Sequence, residues 1–233
     1  MTPTTSTLRS DFRQGAQDIF PILLGIIPFG LVAGAVAIDT GLTIGDAMAL
    51  SLFVFAGASQ LAAIELLGNQ APIAVAVFTI AVINLRHLMY SASLAPHFAG
   101  LPLRHRVPAT FIMTDQSYAV TIARAEEIDD PRRNLAYFLG AAIPLYVTWQ
   151  LFTLIGTLVG AAIPDAIPLT FAIPMVFLVL LVPALKDRPA IAAAVTAGVG
   201  ATVLGFLPAN LGLFVSALGG VAVGTLLTVR GER

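Results

Sequence analysis

The sequence predicts an all-α integral membrane protein, a polytopic bundle of about seven to eight membrane helices, some of them broken, with two candidate duplicated halves. Three observations carry this expectation. Of 233 residues, 58% are hydrophobic and only 11% charged, with a mean hydropathy of +0.91, whereas a soluble domain has roughly 25% charged residues. The charges fall in short clusters between apolar runs of about 20 residues, the length that crosses a bilayer. Polar residues with no ordinary surface role are stranded inside several of those runs. The formal net charge of -1 offers no basic surface to nucleic acid, and the absence of cysteine excludes disulfides, thiol catalysis and Cys-ligated metals. No phosphate-cradling Gly-rich lysine loop is present, so an energy source must be a gradient or another protein.

Taken in order, residues 1–17 read as a polar cytoplasmic segment carrying Arg9 and Arg13. The run from Asp18 to Ile38 is too long for a signal-peptide core and lacks a small-residue cleavage site, so it reads as an uncleaved first helix. Further apolar runs cover about 47–67, 71–94, 109–123, 135–162, 168–185, 190–206 and 209–229, within a single transmembrane domain of residues 18–229. The run 109–123 is short and carries Asp115 and Gln116, which fits a broken or re-entrant helix as well as a crossing. Residues 230–233 form a short cytoplasmic tail.

Loop charges orient the bundle, because cytoplasmic loops retain Lys and Arg. With eight crossings and an internal N-terminus, Arg9, Arg13, Arg124, Arg132, Arg133, Lys186, Arg188, Arg230 and Arg233 lie inside. Arg104 and Arg106 lie outside, against the rule, which a re-entrant element before them would remedy. Both termini are expected in the cytoplasm.

Ile27-Pro28, Asp46-Ala47 and the segment from Pro72 recur as Ile143-Pro144, Asp165-Ala166 and the segment from Pro189, at offsets of 116, 119 and 117. These suggest repeats over 18–123 and 134–229, parallel if each half holds four crossings. Gly212, Ser216, Gly220 and Gly224 recur every fourth residue, as do Gly30 and Gly34. Small residues so spaced let helices approach closely, either within this chain or against a second subunit. Pro21, Pro28, Pro144, Pro174 and Pro183, in or at the ends of apolar runs, predict kinked or discontinuous helices.

The candidate chemistry lies in three strings. Phe55-Ala56-Gly57-Ala58-Ser59-Gln60 offers a hydroxyl and an amide, with Glu65 beyond it. Asn84-Leu85-Arg86-His87-Leu88-Met89-Tyr90 places an arginine late in an apolar run, where it needs water or a partner. Thr114-Asp115-Gln116-Ser117-Tyr118 supplies the carboxylate best placed to titrate or to neutralise Arg86. An ionisable residue inside a membrane is a functional candidate by default. Hydrogen-bonded packing is the alternative for Ser59, Gln60 and His87, a solvated boundary for Glu65, and a purely structural ion pair for Arg86 and Asp115. No nucleophile motif, metal-protease motif or paired-carboxylate motif is present, which argues against a membrane enzyme. No metal site is expected.

These strings, together with Pro28-Phe29-Gly30, stand in the order and spacing of a known family. The chain resembles the AzlC family, the large subunit of bacterial branched-chain amino acid exporters. Its motifs cover about residues 15–120, and the second half matches in hydrophobic pattern and length. The resemblance implies a secondary transporter exporting valine, leucine, isoleucine and also methionine across the bacterial cytoplasmic membrane, with a small AzlD-type membrane subunit and no cofactor. Export of another small amino acid or metabolite, or a non-transporting role in membrane assembly, is the alternative. In this reading Arg86 holds the substrate carboxylate, Asn84, Ser59 and Gln60 bond its polar end, and Asp115 meets the ammonium or balances Arg86. Phe53, Phe55 and Leu61 would line the side-chain pocket. Asp115, then Glu65 and His87, are the candidate proton carriers. The family's third motif reads Thr-Asp-Glu, whereas Gln116 follows Asp115 here, which removes a second carboxylate.

Overall fold

The computed structural model describes residues 7–163, 178, 185, 187–206 and 211–231, and among these the regular structure is helical. They belong to two compact units, residues 1–173 and 174–233. The first unit contains α1 (Leu8–Asp39), α2 (Ile44–Val54), α3 (Gly57–Gly68), α4 (Ile73–Asn84) and α5 (Arg86–Leu94). A 3-10 turn (Pro96–Phe98), α6 (Leu103–Phe111), α7 (Asp115–Ala125) and α8 (Pro131–Gly160) complete it. The second contains α9 (Arg188–Val203) and α10 (Leu211–Gly231). Among the described residues, three stretches are long and apolar enough to cross a membrane unaided: α1, α4 with α5, and α8.

The core of the first unit is the pairing of α1 with α8. Helix α1 starts at Leu8, ten residues before the apolar run, because the Thr7 hydroxyl caps it by accepting from the Ser10 N–H. Asp130 caps α8 in the same way and Pro131 occupies its first position, where a missing N–H costs nothing. The two helices lie parallel, since contacts advance together along both. Gly15 abuts the Tyr137 backbone, Gly140 that of Phe12, Gly34 that of Thr153, and Gly156 that of Leu31, and at Gly160 a Cβ would stand 2.7 Å from the Ala35 Cα. Main chains this close admit only glycine, so Gly30 and Gly34 serve packing inside the chain. Both helices run through Pro21, Pro28 and Pro144; Pro174 and Pro183 lie outside the described residues.

The discontinuities come elsewhere, at residues 55–56, 85 and 112–114. Helix α2 runs antiparallel to α8: Phe55 packs on Tyr146 with ring centroids 4.5 Å apart, and Ser51 is bonded to Gln150 one turn further along each helix. The chain turns at Phe55, whose φ is 32°, and α3 then runs back beside α1, from Gly57 against Phe29 to Gly68 against Thr40. Helices α2 and α3 are therefore a hairpin that enters from the α1 C-terminal end and returns to it. The run 47–67 is not a crossing.

A second hairpin enters from the opposite end. Helix α5 carries the chain toward the α8 N-terminus, where Leu94 and Phe98 join Ala109, Met113, Phe138 and Ala142 in one buried cluster. Helix α6 then climbs to Thr114 and α7 descends, so that Ala125 arrives within reach of Asn134. The run 109–123, open on sequence between a broken or re-entrant element and a crossing, lies in this hairpin. Two opposed hairpins change the charge reckoning. Arg104 and Arg106 sit at the start of α6, at the same end of the unit as Arg9, Arg13, Arg124, Arg132 and Arg133, and the eight-crossing arrangement that put them outside is corrected. Lys186 and Arg233 lie outside the described residues, as do Asp165-Ala166 and nearly all of the run 168–185.

In the second unit α9 and α10 pack antiparallel. A Cβ on Gly220 would lie 2.7 Å from the Ala193 carbonyl oxygen, and one on Gly200 would lie 2.8 Å from the Ser216 Oγ. Gly212 abuts the Leu204 backbone and Gly224 faces Ala193. The α10 ladder is thus occupied by α9, which corrects its reading as a docking face for a second subunit.

Candidate functional site at the helix breaks

All three polar strings coincide with helix breaks, and the fold brings the breaks to one depth. The Tyr137 hydroxyl donates to the Asp18 carboxylate at 2.6 Å, and Arg124 stands 3.8 Å from the same carboxylate, which sets a common level for α1, α7 and α8. From there, at a rise of about 1.5 Å per residue, Phe29 and Trp149 are roughly 16–18 Å along α1 and α8, and Asp115 is roughly 13 Å along α7. Phe29 and Trp149 flank Gly57 at the first hairpin's tip. The two tips therefore lie at levels within about one helical turn of each other, a rise of roughly half the 30 Å of a hydrocarbon core.

The α4–α5 break lies between them and bonds to both. Ser59 donates to the Asn84 side-chain oxygen at 2.5 Å, and the Arg86 guanidinium meets the Asp115 carboxylate at 2.7 Å. Ser59 is fully buried, while the Arg86 and Asp115 side chains keep 29% and 39% of their exposure. That residual exposure matters, because a pair still reachable from outside can exchange partners. Below it, Tyr90 stacks on Tyr118 at 4.4 Å and the Tyr118 hydroxyl donates to Ser93, clamping α5 to α7. His87 Nδ1 lies 3.2 Å from the Asn84 carbonyl oxygen, beside the site and engaged with the backbone.

The two tips differ in how they are finished. Helix α7 has a reciprocal cap: the Thr114 hydroxyl accepts from the Ser117 N–H, and the Ser117 Oγ accepts from the Thr114 N–H. Helix α3 begins at Ala56 with no side-chain cap. Gln60, four positions on, is fully buried; its Oε1 accepts from the Trp149 indole at 3.1 Å, while its Nε2 has no partner.

Most of the expected residues are thus assembled. Ser59 joins Asn84, Arg86 joins Asp115, and Gln60 stands one turn inside the same tip. Glu65 does not join them: it is exposed on the part of α3 that returns to the α1 C-terminal end. Phe53 is 79% exposed and is not covered by the described residues, whereas Phe55 and Leu61 are buried. Sequence reading missed Trp149 and Phe29, whose rings meet edge-to-face at 5.2 Å and cover Gly57. The one available signal was a lone tryptophan in an apolar helix, since a buried indole N–H needs an acceptor. It also missed Asp11, 2% exposed and held by Arg133 at 2.8 Å.

The profile of the AzlC protein family matches residues 21–163, which spans every residue of this site. The chain belongs to the AzlC family. A membrane protein of Archaeoglobus fulgidus is 36% identical over 216 residues, covering 90% of this chain and 92% of that protein. The inner membrane protein YgaZ of Escherichia coli is 23% identical over 233 residues, covering 97% and 92%. A membrane protein of Helicobacter pylori is 28% identical over 176 residues, covering 73% and 75%. No solved structure matches the chain. Membership and relatives agree with the helical fold that this is a membrane protein. The AzlC match ends with α8, so the site belongs wholly to the part of the chain that defines the family.

Proposed function

We propose that this AzlC protein is a secondary transporter that exports branched-chain amino acids, valine, leucine and isoleucine with methionine, across the cytoplasmic membrane, together with a small AzlD-type membrane subunit. The observation that carries the reading is the Arg86–Asp115 pair at the meeting point of two opposed hairpins. An amino acid is itself a linked carboxylate and ammonium. It can insert between the two side chains, its carboxylate taking Arg86 and its ammonium taking Asp115, so that this exchange leaves no charge alone in a low-dielectric site. A neutral solute gains nothing from that exchange. Discontinuous helices meeting at mid-membrane are a recurrent way to build such sites, because they bring backbone polar groups to the substrate.

The polar end of the substrate is held by Ser59, Gln60 and Asn84, and Phe55 and Leu61 stand near it as apolar neighbours. A pocket of that kind discriminates one methylene weakly, which is why the substrates overlap. Asp115 is the proton carrier that couples export to a gradient. His87 is engaged with a backbone carbonyl and Glu65 is remote, so they rank behind it. The basic residues gathered at the α1 and α8 N-termini face the cytoplasm, together with both chain termini. Residues 18–123 and 134–229 are two parallel repeats, and the side-by-side, parallel α1 and α8 support that relation.

Cells loaded with leucine-containing dipeptides provide the test. Efflux of leucine should require this chain and collapse with a protonophore. An Asp115→Asn variant that retains activity should lose the protonophore sensitivity. Efflux that is equal with and without the chain would remove the assignment.

A further inference from the structure

We propose that the first turn of α3, with Gln60 as its side-chain donor, is a carboxylate-binding subsite, and that it supplies the recognition of the substrate's acidic end that Arg86 cannot supply while paired with Asp115. This rests on the reading of the chain as an amino acid transporter for its substrate class, but not for its geometry. Three observations converge. Helix α3 begins at mid-depth with Ala56 as an N-terminus that no side chain caps, as at α4, α5 and α6 and unlike α1, α2, α7, α8 and α9. Its first N–H groups point along the helix axis toward the tip, where a partial positive charge favours an anion.

The second observation is Gln60. An indole N–H can only donate, so the bond from Trp149 fixes the Gln60 oxygen toward the indole and leaves the amide nitrogen, with two donors, facing away. That nitrogen is buried and has no partner. Long side chains on a helix lean back over the preceding turn, which for Gln60 is Ala56 and Gly57. The far edge of the indole that bonds Gln60 would stand 3.1 Å from a Cβ at Gly57, so the amide and the first turn share this ring as a neighbour. A buried donor set with no acceptor calls for a ligand that brings one.

The third observation is steric and electrostatic. Gly57 and Ala58 are small and only half-buried, leaving the turn reachable. The Ser59–Asn84 bond ties this turn to the residue two before Arg86, whose Nε is also unpartnered. A carboxylate on the turn therefore has the Gln60 amide and the first α3 N–H groups as donors. The ligand class is a free carboxylate on a small aliphatic chain.

Trp149 is the chain's single tryptophan, so its emission reports this subsite without interference. The purified full-length chain would be titrated with leucine, with its deaminated analogue 4-methylpentanoate and with its decarboxylated analogue 3-methylbutylamine. Leucine and 4-methylpentanoate should change the emission saturably, and the amine should not. Gln60→Glu, nearly isosteric but negatively charged, should raise the apparent Kd of both carboxylates at least tenfold, and Gln60→Leu should do so too, with helicity checked by circular dichroism. A response to the amine equal to that for the acids overturns the subsite, as does an unchanged Kd in folded Gln60→Glu. Leucine efflux from cells with no Trp149 response to either carboxylate would leave the transport reading standing and defeat the subsite. Carboxylate binding with no leucine efflux would do the reverse.

Discussion

The two hairpins do the same geometric job in opposite ways. Helices α6 and α7 end in a tip that satisfies itself: Thr114 and Ser117 cap each other, and the one charge, Asp115, is held by Arg86. Helices α2 and α3 end in a tip that carries no charge and leaves donors open, at the uncapped α3 N-terminus and at Gln60 Nε2. A tip that is complete without a ligand can be a fixed wall or the seat of a titrating group. An incomplete tip is stabilised when a ligand arrives. In the proposed reading the difference gives charge compensation to the α6–α7 hairpin and ligand capture to the α2–α3 hairpin. Phe55 underlines the point: a left-handed non-glycine residue is strained by about 1–2 kcal/mol, and its burial against Tyr146 offsets that where α2 must stop.

The largest expected effect comes from breaking the charged tip. Arg86→Ala should abolish leucine efflux while the protein remains in the membrane at normal abundance. Normal efflux would place the site elsewhere, and disappearance of the protein would make the pair structural. A cycle with Arg86→Gln and Asp115→Asn sharpens this. Because both side chains are partly exposed, thermal unfolding in detergent should give a coupling of about 1 kcal/mol, below the 3–5 kcal/mol typical of breaking a fully buried pair. Additive losses in folded protein would mean that the two groups act separately.

The smallest expected effects come from exchanging the finish of the two tips. Thr114→Ala removes the α7 cap and should destabilise the protein by about 1 kcal/mol. Ala56→Ser would offer α3 the cap it lacks, and should leave stability equal or raised by about 0.5–1 kcal/mol while weakening the binding of leucine several-fold, because the new hydroxyl competes for the same N–H groups. Stability and affinity moving together in both variants would erase the distinction between the tips.

Much of this was legible in the sequence, and the rest was hidden for physical reasons. The α6–α7 hairpin showed itself because Thr114, Asp115, Gln116 and Ser117 interrupt an apolar run with groups that cannot face lipid. The pairing of Arg86 with Asp115 followed from the same cost. The α2–α3 break left a weaker mark: Ser59 and Gln60 fall just after it, but Ile44 to Gly68 contains no proline and turns at a phenylalanine that packs on a tyrosine 91 residues further along. The early start of α1 was masked by Arg9, Asp11 and Arg13, which read as solvated until Arg133 supplies a partner 122 residues away. Gln60 and Trp149, 89 residues apart, could be joined only by the fold. Local polarity announces a break; long-range packing does not.

The central claim is that two hairpins enter from opposite ends and meet, and it is tested most directly by the side on which their connecting loops emerge. The native chain has no cysteine, so single substitutions give a clean background. Asn69→Cys, in the loop after α3, and Ala99→Cys, in the loop before α6, are both at exposed positions. With a membrane-impermeant maleimide on intact cells, position 69 should label and position 99 should label only after permeabilisation. If position 99 labels from outside and position 69 does not, while Ser10→Cys at the start of α1 labels only after permeabilisation, the run 47–67 crosses the membrane and the account of opposed hairpins is contradicted.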